Sequence, residues 1–385
     1  MAAALLSTAA LSVTERVGLD CFVASLKPTF PSSPSSGQRH PQATTGNPPR
    51  RVLELDALRG LAALSVAVFH CTDHYGREIG HTVPPVFGFP AGNYGVEVFF
   101  LISGFVIFMT LERTRSAADF VVSRFSRLFP AYWAAILVTA AVVYTIGLPQ
   151  QQLGAWDLAL NLTMVQQILG VEHLDGSYWT LQIELFFYIQ MLFWFSVRQL
   201  HRIRWIIVAW LCASLVSGLW ERVAGGHFSY TLSEVLILRY IPFFAMGILF
   251  YRIFTRPAEV RADYLLILAS LVVIGITLPP VYLAVGAFCI AVFWLFVSDR
   301  LQWLRLRPFV FLGTISYSEY LLHQDIGFTI IWHLEKIGFS GTVAAAAAII
   351  TTAALAVLLT FLVERPAMRA IRGAWKRRSM AASAA

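Results

Sequence analysis

The sequence predicts an all-α membrane protein, a polytopic helix bundle with about ten transmembrane helices and cytoplasmic N- and C-termini. Of its 385 residues, 57% are hydrophobic and only 13% are charged. A soluble domain carries about 25% charged residues. A chain this apolar cannot cover itself with a polar surface, so a lipid bilayer must solvate much of it. The distribution of the basic residues then sets the orientation.

Three regions follow from the composition along the chain. Residues 1–50 are rich in Pro, Ser and Gly, which predicts a disordered N-terminal tail because such a segment cannot bury a core. Residues 51–368 form the predicted ten-span membrane domain, and residues 369–385 form a basic cytoplasmic tail. The apolar segment 155–170 is short and interrupted by polar residues, which predicts a helix in the interface or dipping into the bundle.

Each span needs about 20 predominantly apolar residues. Segments of this kind recur from residue 52 onward. The predicted spans are 53–72, 95–112, 128–148, 177–197, 204–220, 235–254, 263–279, 281–298, 309–333 and 342–363.

The basic residues decide how these spans are oriented. With the N-terminus inside, 21 of the 29 Lys and Arg residues lie in cytoplasmic segments and three lie in external loops. This asymmetry follows the positive-inside rule and places both termini in the cytoplasm. It also accounts for the net charge of +7, so no nucleic-acid partner is predicted. The four cysteines have no CxxC or metal-ligand spacing, and no metal site is predicted.

The first predicted span contains three ionisable side chains. A charge at mid-membrane costs several kcal/mol and marks a functional position by default. Arg59 and His70 are eleven residues apart, which is three helical turns plus about 20°, so they share a face and lie about 16 Å apart along the axis. Asp56 lies on that face as well. Two alternatives remain: Arg59 snorkels or forms a structural clamp with Asp56, and His70 is an interfacial histidine without chemistry.

The third predicted span begins with two arginines on one face. Arg124 and Arg127 are at positions i and i+3 near the cytoplasmic mouth of the span. They form either a positive-inside flank or a clamp for phosphate groups, whose geometry the guanidinium matches. Pro130 fits a first helical turn, where its missing N–H costs little.

The fourth and ninth predicted spans also carry ionisable groups. Glu184 and Tyr188 are at i and i+4, with Trp179 one turn earlier. The alternative for Glu184 is a structural ion pair with an in-span arginine such as Arg239. His323 lies in the middle of the ninth span, where a hydrogen-bonded interior histidine is the alternative to a functional one.

These segments resemble the membrane acyltransferase-3 family, the bacterial integral-membrane O-acyltransferases. Six motifs occur in the order of that family and spread from about residue 53 to residue 366. Each motif is weak alone, but six in order on a ten-span frame are specific. They are LDALRG…FH with its Arg-x10-His spacing, GNYGVEVFFLISGFVI, RFSRLFPAYW, SYWTLQIELFFY, LGTISYSEYLLH and VERP.

The resemblance implies an enzyme of the cell inner membrane that moves an acyl group, commonly acetyl, from cytoplasmic acyl-CoA to a hydroxyl of a carbohydrate or glycoconjugate. It implies a catalytic role for His70, paired with Arg59, and adds Glu184 to the catalytic set. It also implies that Arg59, Arg124 and Arg127 bind the CoA donor. The remaining candidates would bind substrate or support the site: Asp56, Ser103, Trp179, Tyr188 and His323.

The chemistry of the residues agrees with this implication. CoA carries several phosphates and needs basic partners, while a hydroxyl acceptor needs a general base, which histidine supplies. His70 then either deprotonates the hydroxyl or carries the acyl group as an acyl-imidazole, and the sequence does not choose between the two. Two other classes stay open, a proton-coupled transporter and a non-catalytic subunit of polysaccharide assembly, because in-span Arg, Glu and His are typical of proton relays.

Overall fold

The computed structural model describes residues 52–225 and 229–384, so the predicted tail of residues 1–50 lies outside the described residues. The described part is helical, without strands. We number its α-helices in chain order. They are α1 Leu53–Phe69, α2 Tyr75–Glu78, α3 Gly95–Arg113, α4 Ala117–Ile146, α5 Ala155–Asn161, α6 Trp179–Ser196, α7 Ile203–Ala224, α8 Tyr230–Val235, α9 Ile241–Thr255, α10 Val260–Thr277, α11 Val281–Val297, α12 Arg307–Leu322, α13 Asp325–Lys336, α14 Gly341–Leu359 and α15 Arg365–Ala384.

Shorter helical turns extend or join these helices. Turns of π-helix follow α1 at His70–His74 and α14 at Thr360–Glu364. The 3-10 turns are Pro90–Tyr94, Pro149–Gln151, Gln166–Leu169, Gly176–Tyr178, Leu200–Arg202, Pro257–Glu259 and Gln302–Arg305.

Six helical segments in the described chain are long and apolar enough to cross a membrane. Two further helices, α9 and α11, are apolar but shorter. The chain is therefore an all-helical, multi-pass membrane protein, as the composition predicts. The six long segments are Leu53–Glu78, Pro90–Arg113, Ala117–Ile146, Leu200–Ala224, Val260–Thr277 and Gly341–Ala381.

The helix of the third predicted span, α4, begins earlier than predicted. Ser116 caps α4 by accepting a hydrogen bond from the backbone N–H of Asp119 at 3.2 Å, and the helix starts at Ala117. Pro130 lies inside the helix, so its predicted place in the first turn was wrong. The added turns carry Arg124 and Arg127 on a rigid helix and fix the direction in which both side chains point.

The structure adds detail for three other segments. The predicted ninth span is two helices, α12 and α13, which are separated at His323 and Gln324. The predicted basic tail belongs to α15, a helix that starts at Arg365. In segment 155–170, the side chains of Asn161 and Gln166 are buried, and the Asn161 carbonyl accepts a hydrogen bond from the Tyr132 hydroxyl of α4 at 2.7 Å.

Glycines let two pairs of helices cross closely. A Cβ atom on Gly60 of α1 would meet the backbone of Gly313 in α12, and a Cβ on Gly313 would meet the backbone of Asp56. Gly104 of α3 and Gly247 of α9 make an equivalent crossing. Small residues permit such close approach in membrane proteins. The first crossing sets the ionisable face of α1 beside α12, which carries His323 at its C-terminal end.

Ion pairs join the helices at one end of the bundle, which we call the basic end. These residues lie at or near the helix ends that the charge distribution predicts to share one side of the membrane. The opposite end, the far end, carries a His81–Glu335 pair at 2.6 Å. The basic-end pairs are Glu54–Arg305, Glu112–Arg256, Arg204–Asp263, Arg252–Asp263 and Arg127–Glu364.

We expect Gly313→Ala to lower the thermal unfolding temperature of the purified protein, because the new methyl group meets the α1 backbone at Asp56. Overpacking of this kind costs about 1–3 kcal/mol. Gly373→Ala in α15 is the matched control, since the nearest atom to its Cβ is the mobile end of Arg377 at 3.6 Å. Equal unfolding temperatures for the two variants in detergent would contradict the close crossing.

Candidate active site

A cavity of about 530 Å³ extends from the basic end between α1, α3, α4, α6 and α12. Its volume lies within the usual range for small-molecule sites, about 300–1,000 Å³. Six of the ten predicted site residues line it: Asp56, Arg59, Arg124, Arg127, Glu184 and Tyr188. The other four, Ser103, Trp179, His70 and His323, lie behind its walls or beyond its inner end.

The mouth of the cavity is basic. Arg127 forms an ion pair with Glu364 and lies over the ring of Tyr317, 5.3 Å from its centroid. Arg124 lies 5.8 Å from the ring centroid of Tyr188, and its Nε is buried without a hydrogen-bond partner in the described part of the chain. A buried donor without a partner is costly. The mouth therefore favours a ligand with anionic acceptor atoms.

Glu184 lies in the cavity wall and accepts two hydrogen bonds on Oε1. The hydroxyl of Ser103 donates one at 2.9 Å and the hydroxyl of Tyr188 donates the other at 2.6 Å. Arg239, the alternative partner for Glu184, lies instead over the ring of Tyr282 at 5.7 Å from its centroid. Ser103 is thus a supporting residue of Glu184.

Arg59 lies in the wall of the same cavity and not at a lipid-facing surface. Its guanidinium is attracted by the carboxylates of Glu184 and Asp56 and repelled by Arg127. These two carboxylates thus stabilise the positive charge of Arg59 inside the cavity. A charged ligand entering from the mouth would meet Arg127 first and Arg59 further in.

Aromatic side chains close the inner end of the cavity. The hydroxyl of Tyr320 accepts a hydrogen bond from Thr180 at 2.9 Å, and the Phe99 ring packs against it at 5.5 Å. Trp179 lies outside the lining and packs against Phe100, with ring centroids 6.4 Å apart. Beyond Tyr320, 5.4 Å away between ring centroids, lies the imidazole of His323. The two predicted histidines therefore lie just beyond the inner end of the cavity.

His70 and His323 form a hydrogen-bonded pair across α1 and α12. Nδ1 of His70 lies 2.7 Å from Nε2 of His323, and the rings stack with centroids 4.9 Å apart. His323 is fully buried, whereas His70 is half-buried. His70 opens the π-helical turn that follows α1, and such turns are frequent at functional sites.

The hydrogen bonds determine which nitrogens carry protons. Nδ1 of His323 lies 3.0 Å from the carbonyl oxygen of Tyr320. Since a carbonyl only accepts, this nitrogen carries the proton, and Nε2 of a neutral His323 is an acceptor. Nδ1 of His70 must then donate to it. Nε2 of His70 is left with a free lone pair, which is the chemical requirement for a base or a nucleophile.

Asp175 is a site residue that the sequence reasoning missed. This fully buried carboxylate accepts hydrogen bonds from the backbone and hydroxyl of Ser177 at 2.9 and 2.6 Å, and from the backbone of Asp325 at 3.0 Å. It also interacts electrostatically with His323. The signal in the sequence was an aspartate capping the turn Gly176–Tyr178, which was too common a feature to single out.

The lining contains further residues that the sequence did not single out as site residues. Thr180, Tyr317, Tyr320, Glu364 and Arg372 come from three helices and one π-helical turn. Among them, Glu364 of the VERP motif forms the ion pair with Arg127. Among the described residues, no group of three His, Cys, Asp or Glu side chains is arranged to hold a metal ion.

Comparisons with known proteins agree with the six motifs. The profile of the acyltransferase 3 family, described as "Acyltransferase domain", matches residues 52–363. Acyltransferase MdmB of Streptomyces mycarofaciens is 25% identical over 370 residues, covering 83% of this chain and 93% of the relative. Nodulation protein 10 of Rhizobium leguminosarum bv. viciae is 26% identical over 382 residues, covering 82% and 92%.

A shorter match has higher identity. An O-acetyl transferase of Shigella phage Sf6 is 42% identical over 77 residues, which is 20% of this chain and 22% of the relative. No solved structure matches the chain. These relatives favour an enzyme over the transporter and the non-catalytic subunit. The chain belongs to the acyltransferase 3 family and is a multi-pass membrane O-acyltransferase.

Proposed function

We propose that this enzyme transfers an acetyl group from cytoplasmic acetyl-CoA to a hydroxyl of a carbohydrate or glycoconjugate at the inner membrane. One observation carries the proposal: a cavity with an arginine-lined mouth runs from the basic end to Tyr320, and the Tyr320 ring lies beside a pair of hydrogen-bonded histidines. The acetyl group is supported by the name of the phage relative, an O-acetyl transferase. The carbohydrate acceptor is supported by the family resemblance of the motifs.

The proposed topology has ten spans with both termini in the cytoplasm. Six of the spans are the long apolar segments. Three more are α6, α9 and α11, and the consecutive helices α12 and α13 together form the tenth. An even number of spans leaves both ends of the chain on one side. The positive-inside rule then assigns the basic end to the cytoplasm.

The basic mouth and the depth of the cavity support a CoA donor. CoA has three phosphates at one end and a thioester at the other, joined by the long pantetheine arm. Arg124 and Arg127 at the mouth would bind the phosphates, since guanidinium and phosphate match in geometry. The arm would extend past Arg59 towards Tyr320. The helix rise from Arg59 to His70 is about 16 Å, so a long, thin donor is needed to reach from one to the other.

His70 would act on the acceptor just beyond the inner end of the cavity, where the thioester would have to pass Tyr320 to reach it. In the base route, Nε2 of His70 takes the proton of the acceptor hydroxyl while its oxygen attacks the thioester carbonyl. The C–S bond breaks, and the leaving thiolate takes the proton from the imidazolium. His323 and the Tyr320 carbonyl hold the ring in the required tautomer, and Asp175 stabilises the positive charge that develops. In the carrier route, Nε2 itself attacks the thioester carbonyl, and the C–S bond breaks to release CoA as the thiolate. The acceptor hydroxyl then attacks the acyl-imidazole, the C–N bond breaks to free Nε2, and the hydroxyl proton goes to the CoA thiolate.

The direct test compares surface glycans of cells with and without the gene by mass spectrometry. We expect the deletion to remove the mass of one acetyl group from a defined sugar residue. Restoring the gene should restore this mass. Identical acetylation in both strains would contradict the proposal, and proton flux through liposomes in the absence of CoA would favour the transporter class.

We expect His70→Ala to abolish acetyl transfer in the complemented strain. His323→Ala should lower turnover by a factor of about 10² to 10⁴, the usual contribution of a positioned proton-transfer group, without changing the KM for acetyl-CoA. His323→Gln should recover part of the loss, because its amide oxygen can accept the proton of His70. His201→Ala is the control, since His201 is exposed, lies outside the cavity lining, and has its Nδ1 3.1 Å from the Arg198 carbonyl oxygen. A fully active, well-expressed His70→Ala variant would exclude His70.

We expect Glu78→Cys, at the far end, to react with an impermeant maleimide on intact cells. Arg369→Cys, at the basic end, should react only after the cells are permeabilised. Both positions are exposed, and the background replaces the native cysteines by serine. Labelling of Arg369→Cys on intact cells would reverse the assigned orientation.

A further inference from the structure

We infer that the C-terminal helix α15 is part of the donor site and that Arg372 supplies a third phosphate-binding guanidinium there. The inference rests on the proposed CoA donor. The sequence predicts that residues 369–385 form a basic tail beyond the membrane domain. The structure instead places one face of it on the wall of the cavity, next to Arg124 and Arg127.

Three residues attach this part of the chain to α4. Glu364, immediately before α15, forms the ion pair with Arg127. Nε of Arg372 donates to the hydroxyl of Ser126 at 2.9 Å, and its Nη2 donates to the carbonyl of Ser123 at 3.0 Å. Further along, the indole of Trp375 donates to Asp119 at 2.7 Å. These contacts fix α15 beside the half of α4 that carries the mouth arginines.

One face of α15 lines the cavity. Arg365, Met368 and Arg372 all belong to the lining, and their spacing of three and four residues places them on the same side of the helix. The Arg372 side chain is held at its position but stays exposed at the mouth. A ligand in the cavity can therefore reach the guanidinium.

The charges at the mouth are unbalanced. Arg124 and Arg127 both repel Arg372 electrostatically. Glu364 is paired with Arg127, while the hydrogen bonds of Arg372 go to a hydroxyl and a carbonyl, which do not neutralise its charge. The buried Nε of Arg124 also lacks a partner within the described residues. A ligand with several phosphate groups would offset the repulsion and supply acceptors to all three guanidinium groups.

A positive-inside flank is the simpler explanation for basic residues at a cytoplasmic helix end. It accounts for the exposed residues Arg369, Lys376, Arg377 and Arg378, which do not line the cavity. It does not account for a guanidinium that is held by two hydrogen bonds against the cavity wall. The geometry therefore separates Arg372 from the other basic residues of its helix.

The test titrates the purified full-length protein with CoA, with 3′-dephospho-CoA and with pantetheine, using isothermal calorimetry in detergent. Arg372→Ala should raise the Kd for CoA about tenfold or more, as expected for loss of a charge-assisted hydrogen bond. The Kd for pantetheine, which has no phosphate, should be the same as for the native protein. Arg378→Ala, on the same helix but outside the cavity, should leave both values unchanged.

A second variant controls for a folding defect in Arg372→Ala. Ser126→Ala removes the hydroxyl that positions Arg372 and should raise the Kd for CoA by a smaller factor, again without an effect on pantetheine. Equal CoA affinity for Arg372→Ala and Arg378→Ala would overturn the inference, as would a loss of pantetheine affinity in step with CoA affinity. Failure of the native protein to bind CoA would instead refute the proposed donor.

Discussion

The hydrogen bond between Nδ1 of His70 and Nε2 of His323 is the contact around which the candidate site is organised. It joins two helices that are far apart in sequence, and it forms because Gly60 and Gly313 let α1 and α12 approach closely. A larger residue at either glycine would separate the helices and with them the two imidazole rings. The packing of the bundle and the chemistry of the site thus depend on the same crossing.

In the proposed mechanism, the pair lies between a donor side and an acceptor side of the molecule. On the side of the basic end, a cavity with arginines at its mouth runs along α1 and α12 and stops at Tyr320. The carbonyl of Tyr320 fixes the proton on His323, and His323 fixes the proton on His70. The ring of His70 therefore takes its tautomer from a residue in the cavity wall. This arrangement follows the general logic of a nucleophile or base that is oriented by a third group.

Much of this could be predicted from the sequence, because membrane insertion constrains it strongly. Apolar length predicts the helices, and ionisable residues inside spans predict the polar interior. The start of α4 was missed because apolar content marks the lipid-spanning part of a helix and not its polar first turns. The π-helical turn at His70 and the break at His323 depend on packing between α1 and α12. Asp175 and Arg372 enter the site only through tertiary contacts, which no local pattern reveals.

The proposed chemistry depends above all on which nitrogen of His70 carries the proton. In protein labelled with ¹⁵N-histidine, NMR distinguishes a ring nitrogen that carries a proton from one that does not. Spectra of the His70→Ala and His323→Ala variants assign the two rings. We expect neutral His70 to carry its proton on Nδ1 and to leave Nε2 without one. A proton on Nε2 of neutral His70 would contradict it, since no lone pair would then be available for the acceptor or the acyl group.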